Sequence, residues 1–198
     1  MFKHIVFIIA AIFITSSNAS SITINGFEFP DKIKAGKGEL VLNGAGFRMK
    51  MGIKIYACAL YVMNKTQDAI KIQDSEEPMA VRLTIIKLIR GEDWKRGWEQ
   101  SFSKSGINTS YMHDKVKQFV SFFNDGSNEK DIYDILYLPE EGTVISKNDK
   151  LLGKIKGNDF KRLLFSIWIG EKAQSDLKAK LLNKPIPLQG TKNDDSSP

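Results

Sequence analysis

Apolar and polar residues alternate along this chain with two different periods, and the switches between them mark out its elements. Ser21 to Gly26 alternates with a period of two and leads into Phe27-Glu28-Phe29-Pro30, the pattern of an opening hairpin arm. Leu40-Val41-Leu42 reads as a further short strand. The next stretch, Gly44 to Val62, organises the rest: Gly44-Ala45-Gly46 is expected to be a turn whose glycines supply positive φ, with Arg48 at the head of the strand that follows. Met49, Met51, Ile53, Ile55, Ala57, Ala59 and Tyr61 fall on one face of that strand, and Arg48, Lys50, Gly52, Lys54, Tyr56, Cys58 and Leu60 on the other. Its second half has no polar face, which predicts a central strand covered on both sides. Met79 to Ile89 alternates again and is rich in β-branched residues, so it is expected to be a strand as well.

The period then lengthens. Trp94, Trp98 and Phe102 recur every four residues on a predicted helix from Glu92 to Lys104 that closes at Gly106. Asn108-Thr109-Ser110 caps a second helix with the apolar stripe Met112, Val116, Phe119, Val120 and Phe123. Strands return at Asp131 to Leu138, then at Thr143 to Lys147 and Lys150 to Ile155, a tight hairpin about Asn148-Asp149. Phe160 to Ile169 and Ser175 to Asn183 are helical, and Gln67 to Ile72 makes one or two helical turns. Strands, two helices, strands, then helices: this order predicts an α+β domain, a large, mainly antiparallel sheet with helices packed on one face.

The first 19 residues stand apart. Lys3 and His4 precede the apolar run Ile5 to Ile14, and Ser17-Asn18-Ala19 places small residues where a signal peptidase reads. Residues 1–19 are therefore expected to be a signal peptide, 20–188 one domain, and 189–198 a disordered tail. The apolar run is too short for a membrane span, and none is expected in the mature chain. Removing Lys3 lowers the formal net charge from +6 to +5, and the basic residues are interleaved with acidic ones. No concentrated basic stripe suggests nucleic acid as a partner.

Elimination narrows the chemistry further. Beyond residue 19 there is one histidine, His113, and one cysteine, Cys58, too few for a zinc site built on His and Cys within one chain. Gly44-Ala45-Gly46 lacks the remaining glycines and the lysine of a phosphate-binding loop. No Gly-x-Ser-x-Gly elbow is present, so neither a metal nor a cofactor is expected. Trp94, Trp98 and Phe102 either pack as helix core or line one wall of an apolar pocket between helix and sheet. The two readings differ in whether space is left over.

Taken together, Leu42-Asn43-Gly44-Ala45-Gly46-Phe47-Arg48, Lys54 to Val62, Trp94-Lys95-Arg96-Gly97-Trp98, Gly142-Thr143 with Leu152-Gly153, and Ile167-Trp168-Ile169-Gly170-Glu171 resemble the chalcone isomerase family, in its exported bacterial branch. The likeness extends over roughly Ile22 to Leu182. It implies an open-faced β-sandwich with a ligand cleft between sheet and helices, and with the signal it implies a bacterial periplasm. In plant isomerases of this family an arginine after the Gly-x-Gly turn binds the phenolate that closes the ring, and Arg48 matches it. The threonine that polarises the ketone falls at Tyr56. The catalytic tyrosine aligns with Trp94, the lysine with Gly97, the asparagine with Ser101, and a threonine or serine near the carboxy terminus with Ile167.

Most of the catalytic set is thus replaced, and an arginine alone holds an anion without supplying the rest of the constellation. Two readings follow. The resemblance extends to relatives that bind fatty acids, which implies a non-catalytic module for a small anionic, lipid-like ligand. Arg48 and Tyr56 would then hold the head, Ser101 would lie nearby, and Trp94, Trp98, Phe102 and Trp168 would line the tail. The alternative is an isomerase or lyase acting on another anionic substrate at the same cleft. A purely structural role for Arg48 would instead pair it with Glu39 or Glu92.

Overall fold

Alternating stretches pair with their neighbours in sequence to build nearly all of the sheet. The structure, a computed structural model, describes residues 20–185, so the expected signal peptide, the whole of the expected tail and the last three residues of the expected domain lie outside the described residues. Strands β1 (Ser21–Ile24) and β2 (Phe27–Pro30) form a separate two-stranded hairpin. The main sheet runs in strict sequence order through β3 (Lys32–Ala35), β4 (Gly38–Lys50), β5 (Ile53–Val62), β6 (Met79–Ile85), β7 (Ile132–Leu138), β8 (Gly142–Lys147) and β9 (Lys150–Ile155), every pair antiparallel. Among the described residues, five α-helices accompany it: α1 (Ala69–Asp74), α2 (Gly91–Lys104), α3 (His113–Ser121), α4 (Asn158–Ile169) and α5 (Ser175–Leu181). Among the described residues, no helix is long and apolar enough to cross a membrane.

Strand β5 is covered on both sides, and Tyr56 to Val62 is buried throughout. Tyr56, Cys58, Leu60 and Val62 face the helices, within a core that includes Trp98, Phe119, Phe123, Leu163 and Trp168. Ala57, Ala59 and Tyr61 face the other way, against Phe29, Leu40, Leu42 and Phe47. The Tyr61 hydroxyl donates to Pro30 O at 3.1 Å, which fastens the β1–β2 hairpin over this second face. Burying two apolar layers against one strand supplies most of the driving force for this arrangement.

Four sequence expectations need correction. Leu40–Leu42 is not a separate strand but part of β4, which runs unbroken for 13 residues. Gly44 and Gly46 do not form a turn, since neither has positive φ. They are glycines because α5 lies directly on them. A Cβ at Gly44 would sit 2.1 Å from Lys180 O, and one at Gly46 would sit 3.1 Å from Leu177 Cδ1. The stretch from Gly44 to Val62 is two strands rather than one, reversing at Met51-Gly52, where φ is 49° and 76°. Both central residues of this two-residue turn are left-handed, as the twist of a tight hairpin requires. Finally, β6 stops at Ile85 instead of Ile89, and Ile89 makes only an isolated bridge to Ser127.

Two bulges adjust the β4–β5 pairing. At the first, Asn43 is the extra residue. Its buried side chain donates to Leu181 O at 2.7 Å and to Thr66 O at 3.0 Å, and accepts from Thr66 N at 2.8 Å. This ties the end of α5 and the Thr66 loop to the sheet. At the second, Ile55 is the extra residue: Met49 pairs with Lys54, but Arg48 pairs with Tyr56.

Candidate functional site

The Ile55 bulge decides what stands opposite Arg48. Without it, the register of Lys50 with Ile53 and Met49 with Lys54 would continue to Arg48 with Ile55. A one-residue shift exchanges the faces of a strand. With the bulge, Arg48 and Tyr56 are cross-strand partners, so their side chains leave the same face, the one covered by helices.

Between that face and α2 lies a pocket of about 300 Å³. Arg48, Tyr56, Gln100 and Ser101 are its main polar lining, and Met49, Ile55, Leu88, Ile89 and Trp94 its apolar part. Gly97 also borders it, and a Cβ there would meet no atom within 4 Å. Asp93 and Lys50 line it as well. Asp93 is held by Arg90 and Arg96, and its carboxyl is lowered chiefly by the hydrogen bond from Arg90.

Trp94, Trp98 and Trp168 fall into two groups. Trp94 reaches the pocket, stacked between Tyr56 at 6.0 Å and Trp98 at 5.2 Å, with its Nε1 donating to Ser127 Oγ at 2.7 Å. Trp98 and Trp168 do not reach it. Trp98 is walled in by Phe119, Phe123 and Trp168 at centroid distances of 5.0, 5.1 and 5.9 Å. Aromatic packing occupies the room that a ligand tail would need there. Phe102 likewise belongs to this core.

Trp168 still acts on the site through a hydrogen bond. Its Nε1 donates to the Tyr56 hydroxyl at 3.1 Å. This occupies an acceptor position of the phenol and leaves its own hydrogen without an acceptor among the described residues. Burial pushes the Tyr56 pKa up to about 12, against the opposing pull of Arg48. At neutral pH the group is therefore a phenol and a donor. Burial also raises the Cys58 thiol, which lies on the same face, so it stays protonated.

Arg48 is half-buried and forms no ion pair among the described residues. Neither expected carboxylate neutralises it: Glu39 pairs with Lys32 at 3.4 Å, and Glu92 makes no ion pair among the described residues. Ser101 lines the pocket, but its hydroxyl donates to Gly97 O at 2.7 Å. His113, the lone histidine of the described residues, borders a separate groove between α2 and α3. The described residues contain no group of three or more His, Cys, Asp or Glu placed to hold a metal.

Gln100, Leu88 and Ile89 also line the site, and sequence reasoning did not single them out. A signal for the first was present: Gly97, Gln100, Ser101 and Lys104 form a small and polar stripe at helical spacing beside the tryptophans. Leu88 and Ile89 sit in a stretch read as strand, where nothing marks a pocket wall.

A curled antiparallel sheet, a helix layer over one face and a cleft between them define the chalcone isomerase-type fold. A sequence profile of the chalcone isomerase-like family matches residues 21–183, and the chain belongs to that family. Its structure is similar to the crystal structure of a fatty-acid binding protein of Arabidopsis thaliana, with a TM-score of 0.70 and 17% sequence identity. The match covers 83% of this chain and 96% of that one, and it shows the shared fold. No curated protein sequence matches the chain.

Proposed function

We propose that the protein binds a small anionic amphiphile of fatty-acid type in the cleft between sheet and α2, with Arg48 as the anion anchor and no chemical turnover. One observation carries the reading: Arg48, without an ion-pair partner among the described residues, stands cross-strand from a phenol whose hydrogen is unclaimed, over a pocket that is otherwise largely apolar. A charge-assisted contact to a guanidinium beside a neutral phenolic donor is a strong way to hold a carboxylate. The apolar wall of Ile55, Leu88, Ile89 and Trp94 suits a hydrocarbon chain. Binding is favoured over catalysis because the titratable groups at the pocket are poorly matched to proton transfer near neutral pH. Tyr56 holds its proton, and Asp93 is kept ionised by two arginines.

The fatty-acid binding protein that shares the fold supports the ligand class. The expected signal supports export, with cleavage after Ala19 giving Ser20 as the mature amino terminus. Amino-terminal sequencing of the protein recovered from a periplasmic extract tests that.

The binding reading is tested by calorimetric titration of the full chain with dodecanoate and with dodecanol. Dodecanoate should bind at least about tenfold more tightly, and Arg48→Ala should remove that difference, since a hydrogen bond to a charged group contributes about 1.5–3 kcal/mol. Equal dodecanoate affinity in wild type and Arg48→Ala overturns the anchor. Turnover of a chalcone that disappears in Arg48→Ala overturns the non-catalytic reading.

A further inference from the structure

The pocket does not end at Arg48. Arg48, Gln100 and Ser101 also line a second recess of about 50 Å³, which none of the pocket's apolar wall residues borders. Lys104, from the last turn of α2, and Lys172, just after α4, also line this recess, together with the buried Ser166. We propose that this recess is the head-group subsite and that it selects a dianionic head of the phosphate monoester class over a monocarboxylate. The inference rests on the amphiphile reading above.

Among the described residues, three cationic side chains border this small space, and no carboxylate does. Arg48 and Lys104 have no ion-pair partner among the described residues. Among the described residues, Lys172 forms an ion pair only with its neighbour Glu171, at 3.1 Å, in a pair whose side chains are 62% and 85% exposed. Such an exposed pair gives way readily to a better-placed anion. A carboxylate has one charge and two acceptor oxygens, and the Arg48 fork alone can satisfy both. Two ammonium groups would then face the recess without an anion. A phosphate monoester brings a charge of about −1.5 to −2 at neutral pH and three acceptor oxygens. That matches one guanidinium and two ammonium groups.

The hydroxyls around the recess add little to the recognition. Ser101 Oγ donates to Gly97 O at 2.7 Å, Ser105 Oγ to Phe102 O at 2.7 Å, and Ser166 Oγ to Leu163 O at 2.6 Å. Their hydrogens are committed to the helices, so charge carries the selection. Affinity should therefore follow the ionisation of the head. A phosphate monoester gains its second charge near pH 6, whereas a carboxylate is already ionised above about pH 5.

The experiment titrates the full chain, below micellar concentrations, with dodecyl phosphate, dodecanoate and inorganic phosphate at about pH 7.5 and about pH 5.5. Dodecyl phosphate should bind roughly tenfold more tightly than dodecanoate at the higher pH, as expected for additional charge-assisted contacts, and should lose most of that advantage at the lower pH. The double variant Lys104→Ala, Lys172→Ala changes two exposed side chains. It should abolish the preference by weakening dodecyl phosphate more than dodecanoate, because the Arg48 fork alone still holds a carboxylate. Equal or tighter binding of dodecanoate, or a preference that survives the double variant, overturns the dianion subsite and leaves the amphiphile reading standing. Inorganic phosphate binding as tightly as dodecyl phosphate overturns the amphiphile reading, because the chain would then add nothing. Binding of none of the three overturns both.

Discussion

Gly97→Leu separates ligand binding from stability. Gly97 lies within α2, borders the pocket, and has open space where a side chain would begin. Replacing a mid-helix glycine with leucine gains roughly 0.6–0.8 kcal/mol of helix propensity. For a domain of this size that corresponds to a rise in Tm of about 1–3 °C. Taking each of the four added carbons as the ~30 Å³ share of a water molecule, the side chain takes up roughly 120 Å³. That is some two-fifths of the 300 Å³ pocket. Displacing three or four ligand methylenes, at about 0.8 kcal/mol each, removes about 2.5–3 kcal/mol of binding, close to a hundredfold. Gly97→Ala, with one carbon, should cost about fourfold by the same scale. Dodecanoate titration and thermal unfolding monitored by circular dichroism measure the two quantities on the same samples. Unchanged affinity in Gly97→Leu, with Tm maintained, would move the ligand out of this cleft, the groove between α2 and α3 being the next place to look.

Three further outcomes follow from the packing. Gly44→Ala drives a methyl into Lys180 O and lifts α5, at a cost of about 1–3 kcal/mol for overpacking plus about 1 for the Asn43–Leu181 hydrogen bond, and Tm should fall by roughly 4–16 °C. Tyr56→Phe keeps the stack on Trp94 but leaves Trp168 Nε1 buried without an acceptor; chemical denaturation should show a loss of about 1–3 kcal/mol, and dodecanoate binding should weaken as well. Lys161 is fully buried, donating to Gln73 O and Ser75 O, and burial lowers its pKa from 10.5 to about 8. Between those values the unfolded chain binds the extra proton, so this group's contribution to stability rises as pH increases from about 8 to about 10.5. Urea denaturation across that range should show the rise in wild type and its loss in Lys161→Met.

The order and type of the elements were legible because their apolar periods are clear, and the Asn148-Asp149 hairpin because its turn residues tolerate positive φ. The reversal at Met51-Gly52 was not, because apolar alternation continues through it and a methionine in the left-handed region is not a turn signal. Arg48 and Tyr56 do share a face, as their parity suggested, but by another route. They lie on different strands, and a bulge invisible in sequence corrects their register. Gly44 and Gly46 show a related ambiguity: a turn and a close helix contact both demand glycine, and only the position of α5 tells them apart. Trp98 carries the same pattern as Trp94, and whether space remained beside it depended on Phe119 of α3 and Phe123 just after it, which pack from another part of the chain.

The sequential strand order has a consequence for how the molecule comes into being. Each strand of the main sheet pairs with the strand before it, so most of the sheet can grow hairpin by hairpin with short loop closures, the long exception being the connection between β6 and β7 that carries α2 and α3. The contacts that finish the site span far more chain: Trp168 reaches back 112 residues to Tyr56, and Leu181 reaches back 138 to Asn43. The phenol's hydrogen bond therefore requires the carboxy-terminal helices to be docked, and the completed cleft depends on those long-range contacts. A ligand that binds only the finished cleft also stabilises that docking by mass action. Amide exchange in α4 and α5 should slow on ligand addition, although neither helix contributes to the apolar wall.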